Sequence, residues 1–390
     1  YIMFKFDNKH NITISNLQID GNRNNQGTYN LTPALIQGYS AYDIRILNIH
    51  AHHSKGDTIE VGGERIWIEN CHLHNGTEHE IHLSGAKKAF VINNYLHDND
   101  AQLFSFGHAN SEKVIVTNNI LENTSHEAIY FPDDACNDII FSNNYFRNVY
   151  WAIRTQVACT NLLISNNIFV DSDYYAIELA GGSTECIIQN NIFYSCDKAI
   201  YANGNRILVS GNIIKATPEQ GIVLGGSCNT IINNYIEAGW GSYYPVSITG
   251  TYIKISHNII RQGGTSANYL IFEDGSADYN EITNNNLRVG NPTISAIKRI
   301  GSHTIVKENL GYTTENSGSY EITGDGTNTS FTISHGLATT PTNIIITPTN
   351  ASMASADWYV SSWDATNFTI TFTSAPASGT KLSFKWYAEV

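Results

Sequence analysis

No uninterrupted apolar run of 18 residues occurs in the chain, so no stretch is suited to cross a bilayer as a helix. Cations are scarce: 22 Lys and Arg stand against 35 Asp and Glu, a formal charge of −13. That balance argues against nucleic acid or an anionic membrane as a partner. A neutral partner stays open, as does an anionic one held by local cations or a metal. The six cysteines form no CxxC pair, which removes the usual framework of a structural zinc cluster. Helical apolar periodicity is missing throughout. Also missing at the start are a Met and a signal segment; Ile2 to Phe6 enter mid-pattern, as expected of a mature or trimmed chain.

What the chain does have is one phrase repeated: an aliphatic residue, a spacer, an Asn or Asn pair, and another aliphatic stretch. It reads ISN at Ile14 to Asn16, ILN at Ile46 to Asn48 and IEN at Ile68 to Asn70. Pairs follow at Asn93-Asn94, Asn118-Asn119, Asn143-Asn144, Asn166-Asn167 and Asn190-Asn191, with weaker copies at Gly211-Asn212, Asn233-Asn234, His257-Asn258, Asn284-Asn285 and Glu308-Asn309. After the first interval the copies recur every roughly 21 to 27 residues, a solenoid period. One such unit cannot bury its own apolar face, but a stack can. Within a unit, Val114 to Val116, Ile120 to Glu122 and Ala128 to Phe131 each alternate apolar and polar residues, as one-face-buried strands do. Three strands per coil, each stacked on its equivalent, predict an all-β parallel β-helix of about thirteen coils. Asn suits the turn because it tolerates turn conformations and its amide can bond the same amide one coil away.

These repeats, with the opening NLQIDGNRNNQ at Asn16 to Gln26, resemble the right-handed β-helix proteins of the pectin lyase-like superfamily over about residues 1–312. The resemblance implies polysaccharide lyases, uronan C5-epimerases, glycoside hydrolases or phage tailspikes as relatives, a polysaccharide partner, and an extracellular or virion-surface location. A tailspike-like chain would form a homotrimer. No family's catalytic residues carry over. The polygalacturonase-like GHG is absent, its nearest string being Gly107-His108-Ala109, and a uronan-epimerase-like DPH is missing.

Domain boundaries follow from where the phrase stops. Residues 1–312 are the β-helix and candidate catalytic domain, with an Asn- and Gly-rich surface excursion from Gly21 to Pro33; residues 313–318 have linker character. Residues 319–390 alternate as six short antiparallel strands and predict a small β-sandwich for capping, oligomerisation or glycan binding. Cys136 and Cys159 each precede their Asn pair by the same offset, which stacks them in adjacent coils, bridged or simply filling a turn.

Function must come from outward residues. Aligning coils on the Asn phrase puts Ile59, Ile81, Phe104, Ile129, Ile153 and Ile177 inside. It puts Glu60, His82, Ser105, Tyr130, Arg154 and Glu178 in an outward column spaced about 4.8 Å per coil. The turns beside it add Asp57, His79, Gln102, His126 and Glu127, and on the far side His108, Asp133 and Asp134. Two readings stay open, a reactive groove and a polar flank. Tyr150, Trp151, Tyr174 and Tyr175 offer flat rings on which a sugar can stack, so Tyr150, Trp151, Tyr175 and Glu178 are candidate substrate contacts.

A lyase acting on a uronate-containing glycan needs a cation for the carboxylate, a base and a leaving-group donor. Arg154, His82 or His126, and Tyr130 are the candidates in that order. Glycoside hydrolysis needs paired carboxyls, for which Glu60 with Glu80, or Glu127 with Asp133, are candidates. A non-catalytic glycan-binding spike is the third reading. No cofactor is required by these chemistries, but the second strands carry HxH pairs, His50 to His52 and His72 to His74. There His52, His74, His97 and Glu122 line up as candidate ligands for a divalent metal.

Overall fold

The computed structural model describes residues 2–26, 34–133, 135–264, 267–288 and 294–390. Residues 27–33 of the expected excursion, and Asp134, lie outside the described residues. The chain divides into two units, Tyr1–Glu281 with Val289–Thr304 and Ile282–Arg288 with Ile305–Val390. Among the described residues no helix is long and apolar enough to cross a membrane.

The first unit is a parallel β-helix. Its third strands form one ladder in which Phe4, Ile36, Ile59, Ile81, Phe104, Ile129, Ile153, Ile177, Ile200, Ile222, Val246, Ile271 and Ile297 are successive partners. From Ile36 onward every one is buried. Parallel pairing exposes no backbone edge between coils, and side chains alternate in and out, so one face of each strand fills the bore. On the second strands Phe146, Phe169 and Phe193 stack with ring centroids 4.9 and 4.8 Å apart.

The Asn phrase does two jobs, and the pair divides them. The first residue takes the left-handed conformation, with φ 57° at Asn143, 57° at Asn166 and 56° at Asn190. Asn adopts that region at little cost, and where Asn is lost Gly211 fills the place at φ 65°. The second residue is buried, and its amides form a continuous ladder. The Oδ1 atoms of Asn167, Asn191, Asn212 and Asn234 each accept from the backbone N–H and Nδ2 of the Asn one coil before, at 2.9 to 3.1 Å. The sulfur-bearing turn is likewise a stack: the Thr160 N–H donates to Cys136 O, and the Cys186 thiol lies against Cys159 O. Cys136, Cys159 and Cys186 thus fill consecutive coils as thiols, the last of them unremarked in the sequence.

In the second unit two three-stranded antiparallel sheets face each other. One runs Glu315–Thr323, Lys381–Glu389, Asn343–Pro348, and the other Ser330–Ser334, Asn367–Phe372, Trp358–Trp363. Phe368, Ile370, Phe384 and Trp386 lie between them. The first strand starts at Glu315, inside the stretch read as linker, because Glu315 to Gly318 pair with the chain's last residues, Trp386 to Glu389.

Candidate active site

Register sets Gln37, Glu60, His82, Ser105, Tyr130, Arg154, Glu178 and Tyr201 in one outward row, one per coil. Gln37, itself preceded in register by Lys5, belongs to the row but was not recognised from sequence, since the insertion before it breaks the repeat count. Along the row the side chains gather into two clusters.

The first surrounds His82. Glu60, 7% exposed, accepts from Gln37 Nε2 at 2.9 Å and from the Tyr39 hydroxyl. The His82 Nδ1 lies 3.0 Å from Asp57 Oδ2 and 3.9 Å from Glu60 Oε1. Asp57 Oδ1 meanwhile accepts from the His79 backbone N–H at 3.0 Å and lies 2.7 Å from His79 Nδ1. Burial opposes ionisation of Asp57, but the bonds from His79 and His82 outweigh it and hold the carboxyl well below the usual carboxylate range. An ionised Asp57 keeps the proton of neutral His82 on Nδ1, which leaves the Nε2 lone pair for chemistry. Nε2 is buried and has no hydrogen-bond partner among the described residues.

Gly107 matters here, because a Cβ at that position would come within 2.9 Å of His82 Nε2. Beside it the exposed His108, at φ 60°, lays its ring over His82 with centroids 4.9 Å apart. The Gly107-His108 string that fails the polygalacturonase-like pattern is therefore the roof of this nitrogen. Burial and the bond to Glu60 push the Tyr39 phenol up, so it remains a protonated donor. Tyr39 also lines a pocket of about 450 Å³ with Gly62, Gly63, Ser84, Gly85 and Ala109.

The second cluster surrounds Arg154. Its Nη1 donates to Glu127 Oε1 at 2.7 Å, its Nε lies 3.4 Å from Glu178 Oε2 without hydrogen-bond alignment, and its Cζ sits 4.2 Å from the Trp151 ring centre. Glu127, buried, also accepts from Gln102 at 3.0 Å. Arg154 is thus spoken for by its own carboxylates, against the expectation that it holds an anionic substrate group, and Glu127 is committed to Arg154 and Gln102 rather than to Asp133. Burial raises the Glu178 carboxyl above its ordinary value despite Arg154. Burial, then the Glu127 charge, raises the Tyr130 phenol.

Tyr150 and Tyr174 stack at 5.7 Å, and Trp151 meets them edge-on at 4.3 and 5.2 Å. Tyr175 is buried, its hydroxyl on Gln220, and supports that platform instead of facing outward. His126 is exposed in the irregularity between Thr124 and Glu127, outside the row.

Glu80 departs furthest from expectation. Instead of pairing with Glu60 it is wholly buried, accepting from Thr58 Oγ1 at 2.6 Å and the Gly76 N–H at 2.9 Å. Burial pushes its carboxyl up from 4.5 to about 7, these bonds only partly opposing. A raised carboxyl contributes stability fully below its unfolded pKa and loses it as pH rises through the folded one. Glu80→Gln is therefore expected to raise the melting temperature at about pH 8.5 by about 3 °C or more and to change it little near pH 5. Thermal unfolding at both pH values checks this, and equal shifts at the two would remove the charge from the explanation.

On the second-strand face, His52, His74, His97 and Glu122 do form the expected register column. They do not converge. Glu122 is taken by the Tyr95 hydroxyl and by Arg147 at 3.1 Å, and His52 Nδ1 turns to His53 Nδ1 at 2.7 Å. The rings instead reach diagonally: His50 Nε2 lies 3.1 Å from His74 Nε2, and His72 Nε2 lies 2.7 Å from His97 Nε2. Burial, then the imidazoles around it, pushes His72 down to about 4.

Two family models match parts of the chain: a right handed beta helix region over residues 152–332, and the periplasmic copper-binding protein NosD over residues 58–238. Among curated proteins none is similar enough in sequence to count as a relative. Solved structures of similar path include the tailspike of Pseudomonas phage phi297, at 11% identity and TM-score 0.45, covering 90% of this chain and 67% of that one. DFA-IIIase from Arthrobacter chlorophenolicus A6 is 12% identical with TM-score 0.45, covering 70% of each chain. The A-module of a mannuronan C-5 epimerase from Azotobacter vinelandii is 9% identical with TM-score 0.34, covering 70% of this chain and 83% of that one. Taken with the ladders above, the match to the right handed beta helix model agrees with a parallel β-helix as the fold of the chain.

Proposed function

We propose that the chain binds and cleaves a polysaccharide laid along the third-strand row, with His82 as the proton-transfer group. The observation that carries this is the buried Asp57–His82 pair, in which His82 Nε2 has no partner among the described residues and lies beneath Gly107. A carboxylate that orients a histidine and fixes its tautomer leaves the far nitrogen to act as a general base. Three rungs along, about 14 Å away, the Trp151, Tyr150 and Tyr174 rings supply stacking faces beside hydrogen-bonding groups, the mixture a sugar ring needs.

For the reaction, β-elimination fits His82 as base and Tyr39 as leaving-group donor. Tyr39 is favoured over Tyr130 because its hydroxyl bonds Glu60, whose Oε1 lies 3.9 Å from His82 Nδ1. Both cations near the platform are already paired, Arg154 with Glu127 and Lys198 with Glu219 at 3.0 Å. A uronate would have to displace one of those acids. A second reading, hydrolysis, is favoured by one observation: Glu178 is raised by burial while Glu127, across Arg154, accepts from two donors. Two carboxyls in such opposed environments are the usual acid and base of a hydrolase. With either reaction, our reading is of a protein that meets its glycan outside the cytoplasm.

Digestion of a panel of neutral and acidic polysaccharides, followed by mass analysis, tests this. Fragments lighter by one water are expected for elimination, and hydrated ones for hydrolysis. Binding without fragments would leave a glycan-binding protein, and neither binding nor fragments would overturn the proposal.

A further inference from the structure

The second-strand face carries a concentration of imidazole that the polysaccharide reading does not use. His50, His72 and His74 present ring nitrogens that all lie within 4.8 Å of one another. We propose that His50, His72 and His74, with His97 beside them, form a binding site for one late first-row divalent ion such as Cu²⁺ or Zn²⁺.

The geometry arises from the strands. In each HxH pair the two histidines share a face because the residue between them, Ala51 or Leu73, points into the bore and is fully buried. Register then sets His50 over His72 and His52 over His74. A straight column would hold its nitrogens a full rung apart. The rings lean diagonally instead, and the Nε2 atoms of His50 and His74 approach to 3.1 Å. Two nitrogens each 2.0–2.1 Å from a tetrahedral ion stand about 3.3 Å apart, so this pair already has nearly the bite of a chelate.

His72 stacks on His50 at 4.7 Å with planes 5° apart, and its Nε2 faces that of His97. His72 is therefore the third donor of the group, and His97 stands next to it. Imidazole without thiolate or a converging carboxylate selects copper, zinc, nickel or cobalt over magnesium or calcium, and affinity within that group peaks at copper. Glu122, the acid nearest in the column, is held away by Arg147 and Tyr95.

The alternative is a chain of imidazole hydrogen bonds with no ion. The full chain, purified without a His tag and stripped with chelator, separates the two when titrated with Cu²⁺ and with Zn²⁺ separately by calorimetry. Copper spectra are recorded in parallel. One equivalent of ion is expected, with nitrogen hyperfine structure for copper and a raised melting temperature on saturation. His74→Ala and His50→Ala should each weaken binding at least about tenfold and abolish the thermal shift, while His10→Ala does neither. Circular dichroism confirms that each variant is folded, and having two variants covers the loss of one. Less than about a tenth of an equivalent bound, or parental affinity in both folded variants, overturns the site.

Discussion

His82→Gln is expected to slow cleavage of the polysaccharide at least about 100-fold while leaving the fold intact. Gln can still donate to Asp57, so the buried carboxylate keeps a partner, but it has no nitrogen lone pair to accept a proton. Asp57→Asn is the sharper companion. It preserves shape and removes the charge that fixes the proton on His82 Nδ1, and loss of such an orienting charge costs up to about 10⁴ in turnover elsewhere. Initial rates on the best glycan of the panel, with melting temperatures alongside, check both. Parental rates in both variants would move the reacting centre to the Glu127, Arg154 and Glu178 cluster.

The row offers a contrast that sharpens the test. From sequence, Arg154 is an outward cation and the candidate to hold a substrate carboxylate. In the structure it neutralises Glu127, which is 4% exposed. Arg154→Ala would strand a buried carboxylate, and a fall in activity there would be mixed with a fall in stability.

What could be read from the sequence was the backbone, and what could not was side-chain rotation. The Asn phrase marks positions where L-residues must enter the left-handed region, so the coil register followed from counting. With the register came the row of Glu60, His82, Ser105, Tyr130, Arg154 and Glu178. Gln37 and Tyr39 escaped because the insertion near residues 21–33 interrupts the count just before them. Glu80 was misplaced because its strand begins only at Ile81, so the period-2 rule does not govern it and the preceding turn folds it inward. The histidine face shows the same limit. Register predicted His52, His74, His97 and Glu122 in line, but only the tilt of the rings shows that His50 meets His74 and His72 meets His97. The Asn pair itself concealed a division of labour, since two identical residues in succession carry unrelated tasks.

That division yields the largest expected effect on stability. Asn167 is fully buried; its Oδ1 accepts from Asn144 N–H at 2.9 Å and Asn144 Nδ2 at 3.0 Å, and its Nδ2 donates to Phe141 O at 2.9 Å and Asn191 Oδ1 at 3.1 Å. Asn167→Ala removes one side chain but strands polar groups in the coils on both sides, and each stranded buried group costs about 1–3 kcal/mol. A total loss of about 4 kcal/mol or more is therefore expected. Its neighbour Asn166 is exposed and holds φ 57°. Asn166→Ala should cost only the left-handed penalty, about 1–2 kcal/mol, and Asn166→Gly less, as Gly211 shows by occupying the same place. Because each coil of a solenoid touches only its neighbours, the damage from Asn167→Ala should be local. Hydrogen exchange should quicken first in the coils holding Phe141 to Asn191, before the rest of the ladder opens. Chemical denaturation of the three variants ranks them, and a costlier Asn166→Ala than Asn167→Ala would mean that the turn conformation, not the amide ladder, holds the coils together.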